Sequence, residues 1–361
     1  MARADWVLIG AALLLAAVGV AMIYSCGSSR GEHYHVLQLV WIGIGLLMAV
    51  ALVTFDYARL QPMAAWIYGI ALAMLVLVLI VGSQIRGAQR WLPLGPLHLQ
   101  PAELAKVAVV LVLAVFISAR LEEVTSFRVT AASFALMLPA IGLVLLQPDM
   151  GTPVVMIGAW LTLAFVAGAR VWHLGAIVAV LAACFAGAWA ADIIKPHQKA
   201  RILAFANPEA SKHGAGWQVR QGLIAIGSGH LFGQGFMHGT QTQLAFIPDQ
   251  HSDFIFTAIG EELGFAGAAF VVILLGIVLY RGLSIAAEAR DSFGRLLAAG
   301  LTGILATHTV INIGMTLGLM PVNGMPLPFV SYGGSHMLTC MIILGLLNNI
   351  HIRRRRIDFD L

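Results

Sequence analysis

Three acidic residues stand where apolar stretches of the chain begin, and they are the side chains best suited to chemistry. Glu103 and Asp149 each follow a Gln-Pro pair, and Asp253 closes the polar stretch 248–253 before another apolar run. An ionised carboxylate can take a proton from a hydroxyl group or coordinate a hard cation. In a first helical turn it can equally be an ordinary cap, and for Glu103 and Asp149 both interpretations stay open.

A lysine accompanies the first of these acids. Lys106 follows Glu103 by three residues, which places both on one face of a helix, where they can pair. The pair fits two interpretations: a purely structural ion pair, or a cation that lowers the energy of negative charge developing in a reaction. His308 lies within an apolar run and is expected to be a hydrogen-bonded packing residue.

The composition places these charges in a membrane protein. Of 361 residues, 60% are hydrophobic and 11% are charged, and the mean hydropathy is +0.89. Soluble domains carry roughly 25% charged residues. The composition therefore excludes an ordinary soluble domain, and the net charge of +4 gives no support to a nucleic-acid partner.

Segments free of charged residues predict ten transmembrane helices, because a span needs about 20 apolar residues. Eight of them are residues 6–29, 33–55, 60–85, 107–119, 129–147, 151–169, 171–191 and 263–280, and the stretch 296–352 holds two more. The expected architecture is a single all-α polytopic membrane domain over residues 1–361, with a large loop at 192–252 between the seventh and eighth helices. The first apolar run is predicted to be a retained span.

Positive charges in short loops predict that both termini are cytoplasmic, because Lys and Arg resist translocation. With the amino terminus inside, the inner side collects most short-loop arginines and the run 353–356, whereas the outer short loops hold Arg30, Arg86 and Arg90. The large loop then faces outward, and the even-numbered helices descend from that side. The three candidate carboxylates are therefore expected to meet at the outer face.

Short motifs rich in glycine, proline and polar residues lie between residues 86 and 335. They are 86–91 (RGAQRW), 100–106 (QPAELAK), 147–152 (QPDMGT), 224–229 (IAIGSG), 239–241 (GTQ), 251–256 (HSDFIF), 261–264 (EELG) and 323–335 (NGMPLPFVSYGGS). Together they resemble the SEDS family (shape, elongation, division and sporulation), the GT-C-like membrane glycosyltransferases typified by RodA and FtsW. The short tails resemble the elongation branch, RodA, more than the division branch.

The resemblance implies an enzyme that polymerises lipid II, the undecaprenyl-pyrophosphate-linked disaccharide pentapeptide, into glycan strands at the outer face of the bacterial cytoplasmic membrane. Asp253 stands at the position of the family's essential aspartate and is the expected general base. The residues expected to bind substrate or its pyrophosphate are Lys106, Glu103, Arg86, Arg90, Asp149, Ser331 and Ser335. Asp149 and Glu103 are further expected to hold a divalent cation, Mg²⁺ or Mn²⁺.

Two other classes of function stay open. A lipid II flippase would need a polar path through the bilayer midplane, whereas the acids of this chain gather at one end of the spans. An inert scaffold would act through a partner, and the resemblance implies a class B penicillin-binding protein, the transpeptidase that cross-links new strands. Gly264, Gly267 and Gly276 could let such a partner approach the eighth helix, or could serve contacts within the bundle itself.

Overall fold

Apolar helices make up most of the computed structural model, which describes residues 4–28, 31–85, 88–95, 97–206 and 214–354. Long uncharged runs satisfy their backbone polar groups in lipid by forming helices. The helices are Trp6–Ser28 (α1), Tyr34–Thr54 (α2), Leu60–Val81 (α3), Pro101–Ser118 (α4), Phe127–Leu146 (α5), Gly151–Ala167 (α6), Val171–Ala190 (α7), Pro196–Ala206 (α8), Ala215–Ser228 (α9), Thr240–Gln243 (α10), Ile255–Glu262 (α11), Gly264–Glu288 (α12), Ser292–Thr316 (α13) and Gly334–Ile352 (α14). The strands are Ser83–Ile85 (β1), Ala88–Leu94 (β2) and Leu97–Leu99 (β3).

Ten of these helices correspond in order to the ten predicted spans. Within the described ranges, nine are long and apolar enough to cross a membrane: α1 to α5, α7, α12, α13 and α14. The tenth, α6, is also apolar but has 17 residues. The prediction of an all-α polytopic membrane protein is confirmed.

The interior of the bundle is formed by α4, α13 and α14. Most of each of these helices is buried, whereas α7 leaves most of its surface uncovered. The helix α13 packs against α4, α6 and α12, and α14 packs mainly against α2. Polar side chains on these three helices therefore face other helices rather than lipid, which is where functional groups in a membrane protein are expected.

A small antiparallel sheet connects α3 to α4, and the sequence analysis did not foresee it. The strand order is β1-β2-β3, with Trp91 opposite Ser83 and Leu92 opposite Leu99. Gly95 turns the chain between β2 and β3 with a φ of +64°, a left-handed conformation that glycine adopts readily. The sheet lies beside the start of α4.

The segment predicted as one large loop contains three helices of its own, α8, α9 and α10. In α9, Val219, Gly222 and Ala225 are buried three residues apart, which is the spacing of one helix face. With 14 residues, this amphipathic helix is too short for a span.

The eighth predicted helix is broken in two. We expected it to begin at Asp253 and to continue into the membrane, but α11 ends at Glu262 and α12 begins at Gly264. Gly264 has φ +67°, and a Cβ there would lie 2.3 Å from the backbone nitrogen of Gly233. The carbonyl groups at the end of α11 accept hydrogen bonds from Gln234 and Gly235, so the break is stabilised by the preceding loop.

Candidate active site

A buried ion pair on α4 forms the centre of the site. Nζ of Lys106 lies 2.8 Å from Oε1 of Glu103 and 2.7 Å from Nε2 of His308 on α13. Oε2 of Glu103 lies 3.1 Å from Nδ1 of His336 on α14. All four residues are buried. Charges removed from water in this way must be paired and hydrogen-bonded, and here each charged group has both kinds of partner.

Hydrogen-bond directions fix which histidine nitrogens carry protons. Nδ1 of His308 faces the carbonyl oxygen of Pro326 at 3.1 Å, so it must donate, and Nε2 then accepts from the Lys106 ammonium. Nδ1 of His336 donates to Glu103 in the same way. A continuous hydrogen-bonded chain therefore runs from α14 through α4 to α13 and the loop that follows it.

Asp149 lies in the turn before α6, and both of its carboxylate oxygens accept hydrogen bonds within the fold. Oδ1 accepts from the backbone nitrogens of Gly151 (3.0 Å) and Thr152 (3.3 Å). Oδ2 accepts from the Thr152 hydroxyl at 3.0 Å and from the Gln100 amide at 3.4 Å. This arrangement caps the first turn of α6 and favours the capping interpretation.

Arg90 fastens the small sheet to the same turn. Its Nε donates to the carbonyl oxygen of Gln147 at 2.8 Å, and its Nη2 donates to that of Pro148. Arg90 is partly buried, and its guanidinium is bound to the carbonyl groups of the two residues that precede Asp149 in the chain. Arg86, the other arginine expected in the site, lies outside the described residues.

Asp253 lies in a turn two residues before α11 and is partly exposed, in contrast to the buried Glu103 and Lys106. Its backbone nitrogen donates to the carbonyl oxygen of Asp249 at 3.0 Å. Gly324, in the loop between α13 and α14, faces its carboxylate so closely that a Cβ on Gly324 would lie 3.1 Å from Oδ2. Of the three predicted acids, Glu103 and Asp149 are buried and Asp253 is partly exposed.

The two predicted serines each join separate segments of the chain: Ser331 in the loop between α13 and α14, and Ser335 in the first turn of α14. The Ser331 hydroxyl donates to the carbonyl oxygen of Ser252 at 2.5 Å. The Ser335 hydroxyl donates to the carbonyl oxygen of His98 at 3.2 Å and accepts from the backbone nitrogen of Gln100 at 2.8 Å. Both serines are buried, and this geometry favours a role in positioning backbone over direct contact with pyrophosphate.

The carboxylates predicted to share a metal ion, Glu103 and Asp149, have different neighbours in the structure. Among the described residues, the one group of acidic, histidine or cysteine side chains with closely spaced ligand atoms is Glu103, His308 and His336, whose atoms lie within 4.8 Å of one another. Asp149 is not part of it. The ammonium of Lys106 already contacts two members of this group and supplies the positive charge there. A metal ion bound by Asp149 and Glu103 stays a prediction.

The sequence analysis did not assign two histidines, His308 and His336, to the site. His308 was assigned to packing, and His336 was not singled out. The available signal was an ionisable side chain inside a predicted span, which in a membrane protein marks a functional site by default. What the sequence lacked was the three-dimensional pairing with Glu103 and Lys106.

Three aromatic rings pack together at His251, in the turn that carries Asp253, and were also not foreseen. Tyr34 at the start of α2 stacks on His251 with ring centroids 4.4 Å apart, and Tyr332 lies 4.8 Å from Tyr34. The backbone nitrogen of Tyr332 donates to the carbonyl oxygen of His251 at 2.9 Å. Burial, together with the neighbouring Tyr34, raises the pKa of Tyr332 above its ordinary value.

The adjacent acids Glu261 and Glu262 serve the fold of the preceding loop. Glu261 accepts from the backbone nitrogens of Gln241 (2.7 Å) and Thr242 (3.0 Å). Glu262 accepts from the Ser25 hydroxyl on α1 at 2.6 Å. Both carboxylates are buried, and their hydrogen bonds connect this loop with α11 and α1.

With this geometry in place, comparison with known proteins decides the family. The profile described as "Cell cycle protein", which covers FtsW, RodA and SpoVE, matches residues 5–356. The chain belongs to this family. Peptidoglycan glycosyltransferase MrdB of Escherichia coli K12 is 37% identical over 348 residues, which cover 96% of this chain and 94% of the relative.

Solved structures agree with this assignment. A chain in a structure described as "Structural coordination of polymerization and crosslinking by a peptidoglycan synthase complex" matches with a TM-score of 0.81 and 32% identity, covering 97% of this chain and 98% of that one. The rod shape determining protein RodA of Thermus thermophilus matches with a TM-score of 0.71 and 32% identity, covering 98% of each chain. The resemblance to the SEDS family and the prediction of a membrane glycosyltransferase are confirmed.

Proposed function

We propose that this protein polymerises lipid II into glycan strands, with Asp253 as the general base. The enzyme name carried by its relatives supports the reaction class. The observation that carries the assignment of the base is the partial exposure of Asp253 beside Gly324. The loop that contains Gly324 also accepts a hydrogen bond from His308, which contacts the buried Lys106. A rigid support of this kind is what a catalytic carboxylate requires.

The proposed step is an inverting transfer. The 4-hydroxyl of an acceptor GlcNAc attacks the anomeric carbon of a donor MurNAc, and Asp253 takes the hydroxyl proton as the new C–O bond forms. The bond from that carbon to the lipid pyrophosphate breaks, and its electron pair leaves with the pyrophosphate. A sugar hydroxyl is a weak nucleophile, so a positioned base is worth about 10²- to 10⁴-fold in rate.

Cationic groups would lower the energy of the departing pyrophosphate as its negative charge grows. Arg90 and Lys106 are the described candidates, and Arg86 is the third. The charge of Lys106 is balanced by Glu103 in this structure. Lys106 would therefore stabilise the pyrophosphate only if its ion pair with Glu103 loosens when substrate binds. A divalent ion would supply the same stabilisation, and activity with Mn²⁺, with Mg²⁺ and with EDTA tests it directly.

The proposed orientation has both termini in the cytoplasm and the Asp253 end of the bundle outside. The excess of arginines in the short loops of the opposite end supports it. Lipid II would then be held by its tail in the outer leaflet, which confines donor and acceptor to one plane and favours an oriented encounter.

We propose a class B penicillin-binding protein as partner, which the structural match to a polymerisation and crosslinking complex supports. The glycines suggested as its docking face are not equivalent. Gly264 lies against the loop that contains Gly233, and a Cβ on Gly267 would lie 2.2 Å from the Cβ of Leu263. A Cβ on Gly276 would meet no atom within 4 Å beyond the nearby backbone of its own helix. Only Gly276 is therefore open to a partner helix, and loss of co-purification with Gly276→Leu tests that contact.

The experiment for the proposed reaction measures polymer from labelled lipid II with purified protein. Asp253→Ala is expected to bind lipid II but to form no glycan. Glu288→Gln is the control, because it neutralises a partly exposed carboxylate at the opposite end of the bundle. Full-length polymer from Asp253→Ala would reject the proposal, and appearance of lipid II head groups across a vesicle membrane without polymer would favour the flippase.

A further inference from the structure

One buried amide on α13 contacts two separate segments of the site. Asn312 is fully buried. Its Nδ2 donates to the backbone carbonyl oxygen of Asp253 at 2.9 Å and to that of Met325 at 2.6 Å. Both hydrogens of the amide are therefore used to join the turn of the candidate base to the loop between α13 and α14.

The orientation of this amide follows from its partners. Both are carbonyl acceptors, so only the nitrogen of Asn312 can face them, since the reverse orientation would set oxygen against oxygen. Its Oδ1 is left buried without a hydrogen-bond partner. An unsatisfied buried acceptor destabilises the folded state. The orientation that leaves Oδ1 unpaired is nevertheless the one that lets both N–H groups donate to the carbonyls of Asp253 and Met325.

A second side chain on the same helix face holds the next carbonyl of the loop. His308 precedes Asn312 by four residues, one helical turn, and its Nδ1 donates to the carbonyl oxygen of Pro326. The other nitrogen of the same ring accepts from Lys106. One rigid helix thus connects the buried ion pair with the carbonyls of Met325 and Pro326.

The held loop forms a wall beside the carboxylate of Asp253. Gly324 directly precedes Met325 and is the residue whose Cβ would lie 3.1 Å from Oδ2 of Asp253. Release of the Met325 carbonyl would let this wall move, and release of the Asp253 carbonyl would let the base itself move. Both bonds depend on Asn312.

We infer that Asn312 is the positioning residue of the candidate base: it fixes the backbone of Asp253 against Met325 and thereby the place from which the carboxylate takes a proton. This inference rests on the proposed function. Asn312 itself acts through Asp253 rather than on the substrate, so its loss should lower the turnover number and leave the binding of lipid II nearly unchanged.

The test compares three variants of the full-length protein in the polymerisation assay. Asn312→Ala removes both donors, and Asn312→Asp keeps the shape but replaces the donors with an oxygen. Both are expected to lower kcat by about 10- to 100-fold, the range expected for a displaced reacting group, with KM for lipid II within about 2-fold. Asn312→Ser can donate one hydrogen bond and is expected to recover part of kcat.

Asn349 supplies a matched control. Its side-chain nitrogen also donates to two backbone carbonyls, those of Leu52 and Phe55, but at the opposite end of α14 from the site. Asn349→Ala, which also removes the oxygen that accepts from Tyr57 and Arg353, should lower the midpoint of thermal unfolding at least as much as Asn312→Ala and should keep the wild-type kcat. Equal loss of kcat in both alanine variants would overturn the inference, because a general loss of stability would then explain it.

The outcomes separate this inference from the proposed function. If Asp253→Ala is inactive and Asn312→Asp polymerises at the wild-type rate, the positioning role is wrong and the base assignment stands. If Asp253→Ala is active, both are wrong. If Asn312→Ala fails to fold, Asn312→Ser decides: a wild-type kcat for this variant contradicts the inference, and a reduced kcat with normal KM supports it.

Discussion

At the scale of single residues, the ion pair between Glu103 and Lys106 gives the sharpest expectation. Lys106→Met leaves the Glu103 carboxylate buried without its ammonium partner, and breaking a buried pair in this way costs about 3–5 kcal/mol. The double variant Glu103→Gln/Lys106→Met should be less destabilised than the sum of the single variants predicts. Unfolding in mixed micelles measures these free energies, and strictly additive effects would mean that the two groups do not interact.

Residue types and spacing were enough to find Glu103, Lys106, Asp149 and Asp253, because each is a charged residue near the start of an apolar run. They were not enough to separate their roles. Asp149 and Asp253 look alike in sequence, yet the first has both oxygens occupied by cap hydrogen bonds and the second is partly exposed. The cap partners of Asp149 are local, but the close approach of Gly324 to the Asp253 carboxylate joins residues distant in the chain, which no local pattern encodes.

At the scale of elements, the break between α11 and α12 sets the position of the turn that carries Asp253. Gly264→Ala would place a Cβ against the backbone of Gly233 and force an unfavourable left-handed conformation worth about 1–2 kcal/mol by itself. We expect a lower midpoint of thermal unfolding and reduced polymerisation. Gly276→Ala, on the same helix with open space around it, is the control. Unchanged unfolding in Gly264→Ala would show that the break is not needed.

Hydropathy predicted the spans well because a charge-free run of sufficient length has few alternatives in a bilayer. It missed the three strands before α4 and the break at Gly264. Short strands depend on pairing with each other, and the break depends on hydrogen bonds from Gln234 and Gly235, so neither leaves a periodic signal in its own residues.

At the scale of the whole molecule, the orientation in the membrane can be tested by labelling. In a Cys184→Ser background, a cysteine replacing the highly exposed Phe232 should react with a membrane-impermeant maleimide in intact cells. A cysteine replacing Arg290, between α12 and α13, should react only after permeabilisation. The reverse pattern would place Asp253 on the cytoplasmic side and remove the access to lipid II that the proposed reaction needs.

The most direct measurement is the initial rate of lipid II polymerisation by Asp253→Asn at saturating substrate, made beside a binding isotherm for lipid II. The substitution keeps the size of the side chain and removes its ability to accept a proton. We predict a loss of about 10²- to 10⁴-fold in rate with the dissociation constant of lipid II unchanged. A wild-type rate in the asparagine variant would contradict the account.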